Sequence, residues 1–365
     1  MSARRIADRS TIAVPLLALA VMAASWGSDP ATPVVVVLDL FLAGGVLAAV
    51  HHAEVIARRV GEPFGSLVLA VAVTVIEVAL IVTLMVSGGE ETETLARDTV
   101  FAAVMITCNG IVGLSILTAA LRGRLASFNA EGSATAFATV ITLATLSLVL
   151  PTFTTSKTGP EFSASQLAFA AVASICLYGL FLLVQTVRHR GFFLDSAEDV
   201  AADKEENEHG PPPSRGAALR SLGLLLVALV AVVGLAKLSS GAIEDGVKSI
   251  GAPQSAVGVV IALLVLMPET LTAWRNARRG RVQVSFNLAY GSAMASIGLT
   301  IPAIAIASIW LSGPLVLGLG ATQIGLLVLT GIVSALTLLP GRATLQEGGV
   351  HLIILAAFLF LALNP

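Results

Sequence analysis

The sequence predicts an all-α polytopic membrane protein of about eleven transmembrane helices. Three observations point there: long apolar runs broken by turn residues, a charge content half that of a soluble domain, and basic residues gathered in alternate loops. Of the 365 residues, 56% are hydrophobic and 12% charged, with a mean hydropathy of +0.91. A soluble domain carries roughly a quarter charged residues, so this chain takes lipid as its solvent and membrane lipid as its surroundings. The formal net charge of −2 comes without a clustered basic face or interleaved aromatics, which excludes nucleic acid as a partner. Cys108 and Cys176 both lie in apolar runs and read as small core residues rather than a disulfide or metal pair.

A helix needs about 20 mostly apolar residues to cross the hydrocarbon core. Runs of that kind fall at 12–26, 34–52, 64–87, 99–121, 134–151, 165–187, 217–239, 254–274, 284–311, 314–339 and 349–363. Between them stand Gly88-Gly89, Pro151, Gly159-Pro160, Gly251 with Pro253, Gly313-Pro314 and Gly341, residues suited to turns. The glycines and hydroxyl residues inside the runs suit close packing between membrane helices.

Charge tests this map. With Arg4, Arg5 and Arg9 on the cytoplasmic side, eleven crossings leave only Arg97, Lys157, Lys237 and Lys248 of the 21 Lys and Arg outside. The positive-inside rule demands such an asymmetry, and a miscounted helix would scramble it. The N-terminal basic residues, short apolar run and Ala23-Ala24-Ser25 also suit a signal peptide; we take the first helix, residues 1–30, as retained. Residues 31–190 then form a first repeat and 216–365 a second. Between them, 191–215 is a cytoplasmic linker. Within it Asp195–Glu208 is acidic and precedes three prolines, which reads as a self-repelling solvated segment or a regulatory, cation-sensing one.

Two glutamates sit inside apolar runs: Glu77 within Leu67–Val86, and Glu269, directly after Pro268, within Val257–Ala273. A carboxylate at mid-membrane costs several kcal/mol, and no Lys or Arg lies in the middle of a span to offset it. A low-polarity setting favours the protonated carboxyl and a bound cation favours the ionised one. Proton and cation therefore compete for the same oxygens. That competition is the chemistry of an antiporter.

With Glu77 over Glu269, Gly65–Leu80 lies on Val257–Thr272. The third and eighth helices are five crossings apart and so run in opposite senses, the inverted-repeat pattern of secondary transporters with a midplane site. The helix after each Glu supplies polar side chains: Thr107 and Asn109 in one, Ser292 and Ser296 in the other. With Thr74, residues Asn109, Ser292 and Ser296 are candidate supporting ligands for a hard cation, which takes oxygen donors. Pro268 removes an N–H and is expected to disrupt the preceding turn, freeing carbonyls beside Glu269. Asp39 reads as an interfacial acid, His51 and His52 as an interfacial pair or pH sensor, and Glu62 as a cation collector or helix N-terminal acid.

At these residues the chain resembles a known family. Gly61-Glu62-Pro63-Phe64-Gly65-Ser66-Leu67 running into Glu77, and the preceding His52-Ala53-Glu54, resemble the first repeat of the ChaA-type proton antiporters of the cation/calcium exchanger superfamily. Met267-Pro268-Glu269, with Asn287 and Tyr290-Gly291-Ser292, resembles the second. The resemblance covers essentially the whole chain. It implies an eleven-helix fold, one leading helix plus two inverted five-helix repeats, in a bacterial inner membrane. It also implies export of Ca²⁺, Na⁺ or K⁺ against entering protons, with Glu77 and Glu269 as shared ion and proton ligands and no cofactor. The broader Ca²⁺/H⁺ exchangers carry Gly-Asn three and four positions before the repeat Glu. Here Val73-Thr74 and Val265-Leu266 stand instead, which weakens Ca²⁺, an ion that takes six to eight oxygens, and leaves Na⁺ or K⁺ open.

The preferred expectation is a Ca²⁺/H⁺ antiporter working by alternating access, with a Na⁺/H⁺ or K⁺/H⁺ antiporter as alternative. A passive channel and a non-transporting scaffold are the remaining rivals. No nucleophile–base pair, metal triad or phosphate loop marks an enzyme.

Overall fold

The computed structural model describes residues 2–28, 32–61, 64–88, 92–194, 213–249, 251, 253–310 and 313–364; Glu62 and the acidic segment from Asp195 fall outside the described residues. Eleven helices follow in order: α1 (Ser2–Ser25), α2 (Thr32–Val60), α3 (Phe64–Gly88), α4 (Leu95–Gly123), α5 (Ala130–Thr152), α6 (Ala164–Arg188), α7 (Arg215–Ser249), α8 (Ser255–Arg278), α9 (Val282–Ala307), α10 (Ala321–Leu338) and α11 (Leu345–Leu363). Ten of these, α2 to α11, are long and apolar enough to cross a membrane. The apolar part of α1, Thr11–Ser25, is shorter than a span. The protein is thus an all-α polytopic membrane protein; the only strands among the described residues are two dipeptides.

The helices pack as two compact units. One holds Met1–Thr92 and Pro211–Val257, the other Glu93–Gly210 and Gly258–Pro365. In the first, α2 is packed against α1, α3 and α7. His52, buried on α2, bridges Thr11 O at 3.0 Å and Ser221 Oγ at 3.3 Å, so the ring singled out as an interfacial pair with His51 ties three helices together. The Gly61–Leu67 motif makes the α2–α3 connection. Gly61, at φ +76°, donates to Ala57 O and ends α2, and a Cβ on Gly65 would stand 2.6 Å from that same carbonyl. Only glycine fits at both places.

In the second unit the loops sort by end. At one end Ala126–Ser127 pairs antiparallel with Arg342–Ala343, Asn129 N donates to Gln283 Oε1, and Asn287 Nδ2 donates to Phe193 O. At the other, Val316 bridges Glu161 and donates to Glu93 O, and Gly318 N donates to Pro160 O. Loops after α4, α6, α8 and α10 therefore share the end that carries Arg122, Arg124, Arg190, Arg278, Arg279 and Arg342, as the charge asymmetry requires.

Helix α4 is the centre of its unit, with 89% of its apolar window buried against 22% for α6 and for α11. The outward faces of α6 and α11 carry Phe169, Ile175, Ile353 and Phe360, large apolar side chains suited to lipid. Cys176 is exposed on α6 whereas Cys108 is buried on α4. The expectation of two core cysteines thus holds for Cys108 alone, because an apolar run on a lipid-contacting helix is apolar on both faces. Small residues let α11 approach α4: a Cβ on Gly348 would lie 2.8 Å from Leu117 N, and one on Gly113 would lie 2.9 Å from His351 Cβ. Gly348→Val is expected to cost about 1–3 kcal/mol by overpacking, read as a lowered thermal midpoint in detergent; an unchanged midpoint would show that the two helices are not in contact.

Candidate functional site

Glu77 stands near the middle of α3, a continuous helix, and is buried at 3% exposure. Thr74, one turn earlier on the same helix, is buried beside it in the sequence spacing that puts i and i+3 on one face. Glu269 stands in the middle of α8, 9% exposed. The two glutamates belong to different compact units.

Around Glu269 the structure departs from expectation in one detail. Helix α8 runs unbroken through Pro268. A proline deprives the carbonyl four residues earlier of its donor, which here is that of Leu264, a turn away from the expected place. The nearer carbonyls are engaged: Thr270 Oγ1 donates to Leu266 O and Thr272 Oγ1 to Pro268 O, each at 2.8 Å. Two neighbours fix α8: a Cβ on Gly258 would press against Thr99 N at 2.8 Å, and Ser285 Oγ of α9 donates to Ala273 O at 2.7 Å.

Asn109, the third candidate, lies where α4 changes winding. Residues Ile106–Ile111 form a π-helical turn, all of them buried. Asn109 Nδ2 donates to Thr330 Oγ1 of α10 at 3.0 Å, and its Oδ1 lies 3.1 Å from His351 Nδ1 of α11. Thr107, beside it, bonds back to Ala103 O and Val104 O. Ser296 is buried on α9 and Ser292 is half-buried there. Tyr290, from the second motif, is fully buried between Phe137 and Phe286, and its hydroxyl has no hydrogen-bond partner among the described residues. Asn287 belongs to the arginine-bearing end, accepting from Gln283 Nε2 at 2.9 Å.

Several polar groups escaped the sequence reading. His351 sits in the last apolar run, where a single histidine gives no periodic signal. Asp98 borders the apolar run 99–121, and it is 3% exposed at the start of α4. It accepts from Thr94 Oγ1 at 2.8 Å, Arg97 Nε at 2.8 Å and Gln323 Nε2 at 3.3 Å. The Thr94–Asp98 spacing and the adjacent Arg97 were the available clue. Asp39 on α2 is half-buried, and its Oδ1 is enclosed without a hydrogen-bond partner among the described residues. No cluster of three or more His, Cys, Asp or Glu that could hold a metal ion occurs among the described residues.

Ten apolar spans and a charge asymmetry between loop ends define a class, the multi-span membrane proteins. Comparison with known proteins gives the family. Residues 31–187 and 220–364 match the family described as sodium/calcium exchanger protein. The chain is 48% identical over 324 residues to y4hA of Sinorhizobium fredii, named as an ionic transporter, covering 89% of this chain and 87% of that one. It is 33% identical over 354 residues to the sodium-potassium/proton antiporter ChaA of Escherichia coli, covering 96% and 95%. Two solved structures share its fold: native YfkE, at a TM-score of 0.73 and 15% identity over 98% and 99% of the two chains, and the H⁺/Ca²⁺ exchanger CAX, at 0.67 and 17% over 99% and 93%. The chain belongs to the sodium/calcium exchanger family and is a membrane cation exchanger.

Proposed function

We propose that this protein exports a cation in exchange for protons across a bacterial inner membrane, with its N-terminus cytoplasmic, by alternating access at a site whose titrating ligands are Glu77 and Glu269. The observation that carries the reading is the burial of a carboxylic acid at mid-helix in each half of the chain, at 3% and 9% exposure. The two separately matched stretches, 31–187 and 220–364, support a division into two repeats of opposite orientation. In one orientation the carboxylates hold the cation; protonation from the opposite side neutralises them and releases it. With two glutamates as the only titrating groups, one Ca²⁺ for two H⁺ is electroneutral. Thr74, Asn109, Ser292 and Ser296 are the supporting oxygen donors in this reading.

Ca²⁺ is the preferred cargo, since two carboxylates balance its charge. A second reading, Na⁺ or K⁺ against H⁺, is favoured by two observations: no amide side chain stands three or four residues before either glutamate, and ChaA, named for sodium, potassium and protons, is a relative over nearly the whole chain. Reconstituted vesicles loaded with a pH dye and offered Ca²⁺, Na⁺ or K⁺ separately under one imposed pH gradient decide between them. Dye response to Ca²⁺ alone is expected for the preferred reading; response to Na⁺ or K⁺ without Ca²⁺ overturns it. Cation flux that persists without any proton movement would favour a channel.

A further inference from the structure

Four polar side chains from three helices form one continuous chain of hydrogen bonds inside the apolar interior of the second unit. Thr337 Oγ1 lies 3.2 Å from His351 Nε2, His351 Nδ1 lies 3.1 Å from Asn109 Oδ1, Asn109 Nδ2 donates to Thr330 Oγ1 at 3.0 Å, and Thr330 Oγ1 donates to Met105 Sδ at 3.7 Å. All four polar residues are at most 2% exposed. Since the Asn109 amide nitrogen faces Thr330, its oxygen faces His351, so Nδ1 must carry the hydrogen. Nε2 meets the Thr337 hydroxyl, which can donate to it or accept from it. The ring is thus held at both nitrogens, with Nδ1 the donor toward Asn109.

This chain closes on the π-helical turn Ile106–Ile111. A π turn inserts a residue into the helix and is strained relative to continuous α-helix; such conformations persist where surrounding contacts over-determine them. Here Gly113 and Gly348 bring α4 and α11 within backbone contact, which puts His351 against the turn. We propose that His351 is a positioning residue for cation exchange: through its Nδ1–H it fixes the Asn109 amide and so holds the π turn, and with it the facing of Thr107 and Asn109, in the winding exchange requires. Loss of the bond lets the turn relax toward α-helix, which rotates the residues of the turn relative to the rest of α4. The link to exchange rests on the function proposed above; the effect on winding does not.

Cys108 lies inside the turn and is fully buried, while Cys176, the one other cysteine, is exposed. In a Cys176→Ser background, reaction of Cys108 with a small membrane-permeant maleimide therefore reports on the turn. The reference protein should react slowly. His351→Leu should react about tenfold faster, the change in opening expected when one buried hydrogen bond is lost. His351→Asn, which keeps an N–H donor toward Asn109, should restore slow reaction. In reconstituted vesicles His351→Leu should raise the KM for the transported cation more than it lowers turnover, with His351→Asn near the reference. Glu269→Gln should abolish exchange yet leave Cys108 protected, which separates failure of this proposal from failure of the exchange site. Equal protection of Cys108 in His351→Leu and the reference overturns the proposal, as does equally fast reaction in His351→Asn and His351→Leu. If His351→Leu does not fold, His351→Phe takes its place, keeping a ring and removing both nitrogens: faster Cys108 reaction supports the proposal and an unchanged rate overturns it.

Discussion

Replacing Glu77 or Glu269 by glutamine is expected to reduce proton-coupled cation exchange to the level of protein-free vesicles. The substitution keeps the size of the side chain and one carbonyl oxygen but removes both the negative charge and the exchangeable proton. A helix-buried amide cannot offset the desolvation of a cation, and it cannot trade that cation for hydrogen ions. Each single variant should therefore fail, since the reading gives the pair one shared task. Retained exchange in either variant removes that residue from the site. The same logic sets the pH dependence. As pH falls, protons occupy the carboxyls and displace the cation, so apparent cation affinity should fall by about tenfold per pH unit for each competing proton. Affinity that is flat between acidic and alkaline pH contradicts competition at these oxygens.

The second large effect concerns stability. Asp98→Leu should lower the thermal midpoint of the detergent-solubilised protein strongly, by a loss on the order of 3–5 kcal/mol, the usual result of removing one partner of a buried ion pair. The Asp98 carboxylate is 3% exposed and the Arg97 side chain 16% exposed, with Nε to Oδ1 at 2.8 Å. Arg97 also donates to Gly318 O, and the following carbonyl, of Leu319, accepts from Thr152 Oγ1. Deleting the carboxylate removes the acceptor shared by Thr94, Arg97 and Gln323 and leaves the guanidinium with Gly318 O. Asp98→Asn keeps the acceptor for Thr94 or Arg97 and should cost clearly less. Equal midpoints for the two variants would mean that the pair carries no weight.

Helix number and loop sidedness were legible because lipid imposes them: about 20 apolar residues per crossing and arginines at alternate ends leave a signal in any one run. Loops 124–129 and 339–344, more than 200 residues apart, meet as the charges require. The π turn was not legible. Its winding is held by Thr330 and His351, 221 and 242 residues away from Asn109, and no local pattern announces such partners. The burial of Asp98 was not legible because an apolar run stops at the first charge, whereas α4 begins at Leu95 and buries the acid by pairing it. The buried positions of Glu77 and Glu269 could be read from apolar context alone; the polar neighbours that tune them could not. Proline at 268 suggested an opened turn, but Thr270 and Thr272 occupy the carbonyls expected to be free.

Competition between metal and hydrogen ions for two carboxylates is tested most directly by counting protons set free when cation binds. Calorimetric titration of the solubilised protein, repeated in buffers of different ionisation enthalpy, gives that count. Cation binding should expel protons from the reference protein, fewer from Glu77→Gln and from Glu269→Gln, and none from the double variant. Binding that expels no protons, or expulsion undiminished in the double variant, would contradict the account.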